Sequence, residues 1–345
     1  MASDTHYKAE QLIAFAEKVL NFIGLEEEKS AVVASTLVEA DLLGHSTHGL
    51  QLLPAYVQEL LDGNMTKSGE PTLINDSGAA ITWNGDYLPG PWLVQRAIDL
   101  ALERILNHPV VTIVIQQSHH IACLAAYLEQ VTQHGYLVLL SCSDPKNKTV
   151  APFGGTVGVY SPNPLAAGIP TEGDPILMDV SMSATANAYV KRAHDEEKDL
   201  PHAWLLNTDK QVTNNASEFF KEPPATILPL GGMDSGHKGF ALGILVEALT
   251  SALAGFGRAD EPRRWTASVF LQVINPDAFG GGDKFRRENQ YLADICRQWE
   301  DVRLPGERGL ALKREQLKNG LLLYPTVIQG LKALEKQFGI SIHQE

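Results

Sequence analysis

Residues 110–141, VVTIVIQQSHHIACLAAYLEQVTQHGYLVLLS, decide the fold class of this chain. The β-branched run over 110–115 predicts a strand, the apolar spacing over 122–134 predicts a helix, and residues 136–141 predict a second strand. A strand, a polar turn, a helix and a strand in this order favour α/β packing over an all-helical array. We therefore expect an α/β fold.

Helices are predicted on both sides of this stretch, from apolar residues that recur at helical spacing. They are expected at 12–23, 26–43, 50–61, 92–107, 238–254 and 314–338, the last with a break at Asn319-Gly320. We expect the C-terminal helices to pack back on the N-terminal ones. Residues 1–75 with 285–345 would then form a helical region, and residues 76–284 an α/β domain. The alternative is one continuous domain.

Composition restricts the partners of this chain. Its 345 residues include 28 Lys and Arg against 41 Asp and Glu, which gives a formal net charge of −13. We expect no nucleic-acid partner, since phosphate affinity needs concentrated positive charge, and an anionic ligand needs local positive potential. Three widely spaced cysteines without a CxxC pair favour a reducing compartment. No secretory signal or membrane span is recognisable, so we expect a cytoplasmic protein without membrane contact.

The segment GHSTHG, residues 44–49, places two imidazoles and two hydroxyls between predicted helices. Histidine titrates near neutrality, so this segment is suited to proton transfer. Two other interpretations are open. Ser46 or Thr47 caps the following helix, or His45 and His48 bind zinc, although the HExxH spacing is not met.

The segment SHH, residues 118–120, follows the strand 110–115 directly. The ends of strands are where α/β proteins collect the residues of their sites, so His119 and His120 are candidates. The alternative is a polar turn with one buried histidine whose hydrogen bonds are satisfied.

The segment LGGMDSGHKG, residues 230–239, predicts a flexible loop that enters a helix. Backbone N–H groups there, with His237 and Lys238 beside them, would form an anion pocket. The alternative is a Gly-rich connector. No GxGxxG follows a strand and no phosphate-binding GxxxxGK[ST] occurs, so a dinucleotide would be bound by a different architecture.

Two weaker signals complete the set. The segment VRLPGERG, residues 302–309, predicts a tight turn whose Arg303 and Arg308 could contact phosphate or carboxylate. Asp179, after a short predicted strand, could accept hydrogen bonds from ribose hydroxyls or cap a turn.

In this order, these segments resemble the type 2 malate/L-lactate dehydrogenase family, which includes ureidoglycolate, sulfolactate and diketogulonate oxidoreductases and cyclic-imine reductases. The resemblance covers nearly the whole chain. The GxDSHG motif resembles residues 44–49, and SxHxG resembles residues 118–122. The other matches are APFGG at 151–155, NP at Asn163-Pro164, LPLGG…HKG over 228–239 and PGE at 305–307.

The resemblance implies a non-Rossmann, malate/L-lactate dehydrogenase-like NAD(P) fold whose helical region mediates an intertwined homodimer. It implies hydride transfer between NAD or NADP and a small 2-oxo or 2-hydroxy acid, with no metal. His48 would be the proton donor and His120 the competing acid–base group, with Thr47 and Asn163 at the substrate. The residues that it assigns to the cofactor are Ala122, Cys123, Leu124, Met178, Asp179, Val180, Ser181, Met182, His237, Lys238, Gly306, Glu307 and Arg308.

The sequence also departs from the family pattern. Many relatives carry Arg four residues after the histidine, where this chain has Leu52. Ala122 replaces the glycine of SxHxG, Ser161-Pro162 replaces Gly-Thr, and Tyr189 replaces a lysine. Two alternatives to a hydroxy-acid dehydrogenase are therefore kept: a cyclic-imine reductase on the same scaffold, and a non-catalytic ligand-binding dimer.

Overall fold

The structure is a computed structural model that describes residues 6–342. Its strands are β1 (His6–Tyr7), β2 (Thr72–Asp76), β3 (Ala80–Asn84), β4 (Val110–Ser118), β5 (Leu137–Ser143), β6 (Leu165–Ile169), β7 (Ile176–Val180), β8 (Leu205–Leu206), β9 (Val212–Thr213), β10 (Thr226–Ile227), β11 (Ala267–Ile274) and β12 (Leu321–Leu322). Its helices are α1 (Ala9–Phe22), α2 (Glu27–Leu42), α3 (Leu53–Leu61), α4 (Gly90–Arg104), α5 (Leu128–Thr132), α6 (Asn187–Asp195), α7 (Gly232–Glu247), α8 (Gly282–Cys296), α9 (Glu307–Asn319) and α10 (Pro325–Phe338).

A seven-stranded sheet with the order β2-β3-β4-β11-β5-β6-β7 forms the centre of the fold. The neighbours β3 and β4 are parallel, while the other neighbouring pairs are antiparallel. Helix α4 covers this sheet, and its Trp92 and Ile98 share an apolar core with Ile113 of β4 and Leu271 of β11. The α/β class is confirmed, as a mixed sheet with helices.

The C-terminal helices pack back on the N-terminal ones, as the sequence predicts. A second apolar core joins Phe15 of α1, Leu37 of α2 and Tyr56 of α3 to Leu331 of α10. The short antiparallel pair of β1 and β12 ties the two regions together further. The division of the chain at residues 75 and 285 stays a prediction, and residues 1–5 and 343–345 of the predicted helical region lie outside the described residues.

Two predicted helices differ in the structure. The helix expected over 122–134 is a 3-10 turn at Leu124–Tyr127 followed by α5. Ala122 has a φ of 58°, which is left-handed and excludes an α-helix at that residue. The helix expected over 238–254 begins earlier, as α7, and continues through a π-turn at Ala248–Ala252.

A third, small sheet of order β10-β8-β9 stands beside the main one. Its apolar core includes Leu205 of β8, Ile227 of β10 and Val190 of α6. Helix α6 thereby extends from this small sheet toward the loop that follows α2.

Candidate active site

The loop 44–49, between α2 and α3, is fixed at its exit by Asp41. The backbone N–H of Leu50 donates to Asp41 Oδ2 at 2.7 Å. Gly49 permits this contact, because a Cβ at that position would lie 2.4 Å from the Asp41 carboxyl group. The conformation of the loop thus depends on a buried acid below it.

His48 and His120 lie side by side, although 72 residues separate them in the sequence. Their rings stack with centroids 5.9 Å apart and an interplanar angle of 22°. Thr47 Oγ1 lies 2.9 Å from His48 Nδ1, which leaves Nε2 of that ring for other partners. The helical turn after the loop begins at Leu50, with Gly49 as its N-cap, so the interpretation of Ser46 or Thr47 as its cap is wrong.

Tyr56 of α3 and the backbone of Ala122 hold the His120 ring. The Tyr56 hydroxyl lies 2.8 Å from His120 Nδ1, and the N–H of Ala122 donates to the same nitrogen at 3.3 Å. A backbone N–H can only donate, so Nδ1 accepts and Nε2 carries the proton of the neutral ring. The Trp265 ring covers His120, with centroids 4.7 Å apart.

His119 is buried, as the structural alternative for the SHH segment expects, but its hydrogen bonds are not all satisfied, since its Nδ1 has no partner among the described residues. Its side chain is fully buried, and its Nε2 lies 3.3 Å from Glu59 Oε2. It packs edge-on against Tyr56 and Trp265, the same rings that support His120. Of the two neighbouring histidines, His120 faces the other functional side chain and His119 packs behind it.

Burial keeps both histidines of the pair neutral. It lowers the pKa of His48, which the Asp179 charge raises and the charges of His45 and Arg192 lower further. Burial also sets the pKa of His120 well below its usual value, and His48 lowers it again. A buried neutral imidazole can accept or donate a hydrogen bond without the desolvation cost of a charge.

Asp179, at the end of β7, joins the buried segment that follows His120. Its Oδ2 accepts the N–H of Ala125 at 3.0 Å and the Cys123 thiol at 3.7 Å. One ligand atom each of His45, Cys123 and Asp179 lie within 4.8 Å of one another. In the structure the Cys123 thiol donates to Asp179 and burial raises the pKa of that thiol, so a hydrogen bond joins these two side chains.

The structure brings three of the predicted cofactor segments together: 122–124, through the Cys123 contact with Asp179, 178–182 and 306–308. The turn at Gly306 packs on β7: Leu177 N–H donates to the Pro305 carbonyl at 3.1 Å. A Cβ on Gly306, whose φ is 85°, would lie 2.7 Å from Leu177 Cβ. Residues 178–182 continue from β7, and Met182 accepts the N–H of Leu230 at 3.0 Å. Glu307 is engaged by the Leu304 N–H and by Arg297, while Arg308 is exposed.

The prediction that residues 230–239 form a flexible loop is wrong for most of that range. Helix α7 begins at Gly232, so His237 and Lys238 lie in its second turn and are exposed there. His237 contacts the Phe153 ring edge-on, with centroids 5.7 Å apart. Two pockets, of about 170 and 440 Å³, adjoin Met233 in the first turn of α7; neither is lined by His48 or His120.

Asn163 lies in a buried polar network and is not brought to the histidines. Its side chain has no exposed surface, accepts the Ser161 hydroxyl at 2.5 Å and donates to Glu247 Oε1 at 2.8 Å. Arg258 donates to the same carboxylate at 2.7 Å. In this conformation Asn163 offers no atom to a substrate.

Comparisons with known proteins show the family of this chain. The family model described as malate/L-lactate dehydrogenase matches residues 7–332 of this chain. The chain belongs to the malate/L-lactate dehydrogenase family. It is similar to an L-lactate dehydrogenase of Cupriavidus necator, with 31% identity over 90% of this chain and 91% of that protein.

Solved structures show the same family fold. A putative malate/lactate dehydrogenase from E. coli superposes with a TM-score of 0.88 at 26% identity, covering 98% of this chain and 96% of that one. The delta1-piperideine-2-carboxylate reductase from Pseudomonas syringae superposes with a TM-score of 0.84 at 25% identity, covering 96% and 99%. The predicted membership of this oxidoreductase family is thus confirmed. Within residues 6–342, no helix has the length and apolar character that a membrane crossing needs.

Arg192 of α6 is a site residue that sequence reasoning missed in this member of the malate/L-lactate dehydrogenase family. Its guanidinium donates to Ser46 Oγ, which lies 3.3 Å from both Nη atoms, and to Gln51 Oε1. Tyr324, in the segment before α10, lies under the guanidinium at 4.6 Å. The surrounding sequence, YVKRAHD, is typical of a charged helix and does not indicate a functional residue.

The departures from the family pattern also have defined places. Leu52 is half-buried against the helical core, and Tyr189 is half-exposed against Trp204. Ala122 keeps the left-handed conformation that glycine adopts readily, which marks a strained backbone next to His120.

Proposed function

We propose that this chain catalyses reversible hydride transfer between NAD(P)H and a small 2-oxo acid, with His48 as the proton donor and acceptor. The observation that carries the proposal is the stacked pair of His48 and His120, whose ring centroids are 5.9 Å apart. The segment that follows His120 contacts Asp179 through the Ala125 N–H. Its support is membership of the malate/L-lactate dehydrogenase family and the names of the relatives, which are dehydrogenases of hydroxy acids.

A nicotinamide cofactor fits the segments around β7. Asp179 Oδ1 has no hydrogen-bond partner among the described residues, so it is free to accept ribose hydroxyls. Gly306 lets its turn lie against β7, since a Cβ there would collide with Leu177. We assign Ala122 to Leu124, Met178 to Met182, His237, Lys238 and the turn 306–308 to the cofactor, and a reduced nicotinamide bound there supplies the hydride.

His48 moves the proton. In the oxidation of a hydroxy acid, its neutral ring accepts the hydroxyl proton at Nε2, since Nδ1 faces Thr47 Oγ1. In the reverse direction the protonated ring returns that proton to the developing alkoxide. Thr47 orients the ring and stands next to the substrate. No metal enters this scheme, because the proton transfer and the hydrogen bonds come from side chains.

His120 stabilises the substrate oxygen. Its Nδ1 accepts from Tyr56 and Ala122, so the neutral ring presents an Nε2–H donor. A fixed donor aimed at an oxygen that gains negative charge lowers the barrier. His120 therefore complements His48 and does not replace it.

The functional protein is proposed to be a homodimer in the cytoplasm. Apolar side chains that are exposed on the single chain along α7 and after it support a second copy as the partner; they are Leu242, Ile244, Leu245 and Leu253. The three cysteines are unpaired, which supports a reducing compartment.

A cyclic-imine reductase is the second candidate function. The likeness to the Pseudomonas syringae reductase favours it, at a TM-score of 0.84. The same residues would protonate a nitrogen in place of an oxygen.

A substrate screen tests the proposal. We expect NADH or NADPH oxidation with at least one malate-, lactate- or aromatic-type 2-oxo acid, or with a cyclic imine. His48→Ala should lower kcat by roughly 10²- to 10⁴-fold and leave the cofactor Kd unchanged, because general acid–base catalysis contributes about that factor. The exposed His134 provides the control, as His134→Ala should keep full activity. Activity that survives in His48→Ala but disappears in His120→Ala would reverse the roles.

A further inference from the structure

Arg192 binds residues that flank His48 in the sequence. Its guanidinium donates to Ser46 Oγ and to Gln51 Oε1, residues that precede and follow that histidine. Its charge is one of the causes that lower the pKa of His48, so the guanidinium acts on the ring electrostatically. The two protein partners of Arg192 are neutral oxygens.

No carboxylate neutralises this guanidinium in the described part of the chain. No acidic side chain of residues 6–342 forms a salt bridge with it, whereas Arg258, which is also half-buried, pairs with Glu247 at 2.7 Å. Asp41 is within the field of Arg192, but it forms no salt bridge with the guanidinium, and its Oδ2 accepts the Leu50 N–H. Arg192 therefore keeps a net charge for an external anion.

The guanidinium is also incompletely hydrogen-bonded and fixed in place. Its Nε is buried and has no partner, and an unmet buried N–H carries a desolvation cost of about 1–3 kcal/mol. The Tyr324 ring lies under it at 4.6 Å and limits its rotation. A fixed planar cation with free donors matches a carboxylate, which accepts two parallel hydrogen bonds.

We propose that Arg192, with Ser46 and Gln51, binds the carboxylate of the substrate and so aligns the adjacent carbon with His48. This inference rests on the proposed function, because it identifies the group that grips a 2-oxo acid. The Arg192 N–H groups that now donate to Ser46 Oγ and Gln51 Oε1 then donate to the carboxylate, in charge-assisted bonds about twice as strong, and the Ser46 hydroxyl and Gln51 amide are left to donate to it as well.

The test compares two probes of nearly the same shape, oxamate, which carries a carboxylate, and oxamide, its neutral amide. Binding of each is measured by calorimetry, with and without reduced nicotinamide cofactor. The variants are Arg192→Gln, Arg192→Lys and the control Lys191→Ala, which removes an exposed charge from the same helix that pairs with Asp195. Circular dichroism and thermal unfolding establish that each variant is folded.

We expect oxamate to bind the wild-type chain more tightly than oxamide. Arg192→Gln should weaken oxamate binding by roughly ten- to one-hundred-fold and leave oxamide unchanged, since a hydrogen bond to a charged group is of that strength. Arg192→Lys should restore part of the loss, and Lys191→Ala should have no effect. For a reactive 2-oxo acid, Arg192→Gln should raise KM more than it lowers kcat.

Three results would overturn the inference: wild-type binding that does not distinguish oxamate from oxamide, unchanged oxamate binding in Arg192→Gln, or equal loss of both probes. Failure of this inference can be distinguished from failure of the proposed function. Arg192-dependent oxamate binding without turnover of any 2-oxo acid or imine would leave the subsite standing and reject the reaction. Turnover without any dependence on Arg192 would do the opposite.

Discussion

Asp41 is the residue on which the conformation of the His48 loop depends. It is buried, its Oδ2 accepts the Leu50 N–H, and burial raises its pKa to about 7 from 3.8. A carboxyl group whose folded pKa is raised contributes its full stability below the unfolded pKa and loses it as the pH rises through the folded value. The loss therefore falls between about pH 4 and pH 7, at roughly 1.4 kcal/mol per pH unit.

Replacing this acid by its neutral isostere should reveal that loss. Asp41→Asn keeps an acceptor for the Leu50 N–H but cannot ionise. We expect the variant to gain free energy of unfolding relative to wild type as the pH rises from 4 to 7, with no further gain above about pH 7. Urea unfolding at several pH values measures the difference. If the difference in free energy of unfolding did not change with pH, the pKa of Asp41 would be the same in the folded and the unfolded protein.

Some residues of this site were predictable from the sequence and others were not. His48 and His120 stand in short segments with local signals: a loop of small polar residues and the end of a β-branched strand. Tyr56, Asp41 and Arg192 carry no such signal. They come from three helices, and their function arises only when the fold brings them to the histidines.

At the scale of elements, the N-terminus of α4 supports the backbone of His119 and His120. Gly90 begins this helix, and a Cβ there would lie 2.3 Å from the His119 carbonyl oxygen and 2.4 Å from that of His120. Neither atom can yield without moving the chain that carries the His120 ring. The contact therefore couples the packing of α4 to the geometry of the site.

We expect Gly90→Ala to lower both stability and turnover. The clash should cost about 1–3 kcal/mol in the free energy of unfolding, as overpacking does. A displacement of about 1 Å at a functional group can reduce turnover roughly 10²-fold. Thermal unfolding and kcat measure the two effects. The control is Gly280→Ala, where a Cβ would meet open space. Unchanged turnover in Gly90→Ala would show that His120 tolerates the shift.

The elements themselves were predicted unevenly. β4 follows from its β-branched run, and the helices of the N-terminal region follow from periodic apolar residues. β11, at the centre of the sheet, was not predicted. It lies far along the chain from both of its neighbours, β4 and β5, and pairs antiparallel with each. Such long-range pairing leaves no local pattern, so the sequence ASVFLQVI does not show where in the sheet this strand belongs.

At the scale of the whole molecule, the net charge of −13 repels an anionic substrate, so binding of such a substrate depends on local cations. Arg192 provides one such cation within a half-buried site. In the single chain, apolar side chains along α7 are also exposed to water, which is energetically unfavourable. The exposed fractions of Ile244 and Leu245 are 50% and 48%, although they lie in the interior of a regular helix.

A second copy of the chain is the partner that we expect on this surface. Ile244→Glu should therefore halve the mass in solution, from about twice 37.6 kDa to the mass of one chain, since a buried unpaired charge opposes association. Light scattering coupled to size exclusion measures this mass. The control Leu106→Glu alters a side chain that is 77% exposed after α4 and should leave the dimer intact. An Ile244→Glu protein that keeps the wild-type mass would place the interface elsewhere, and wild type at 37.6 kDa would reject the dimer.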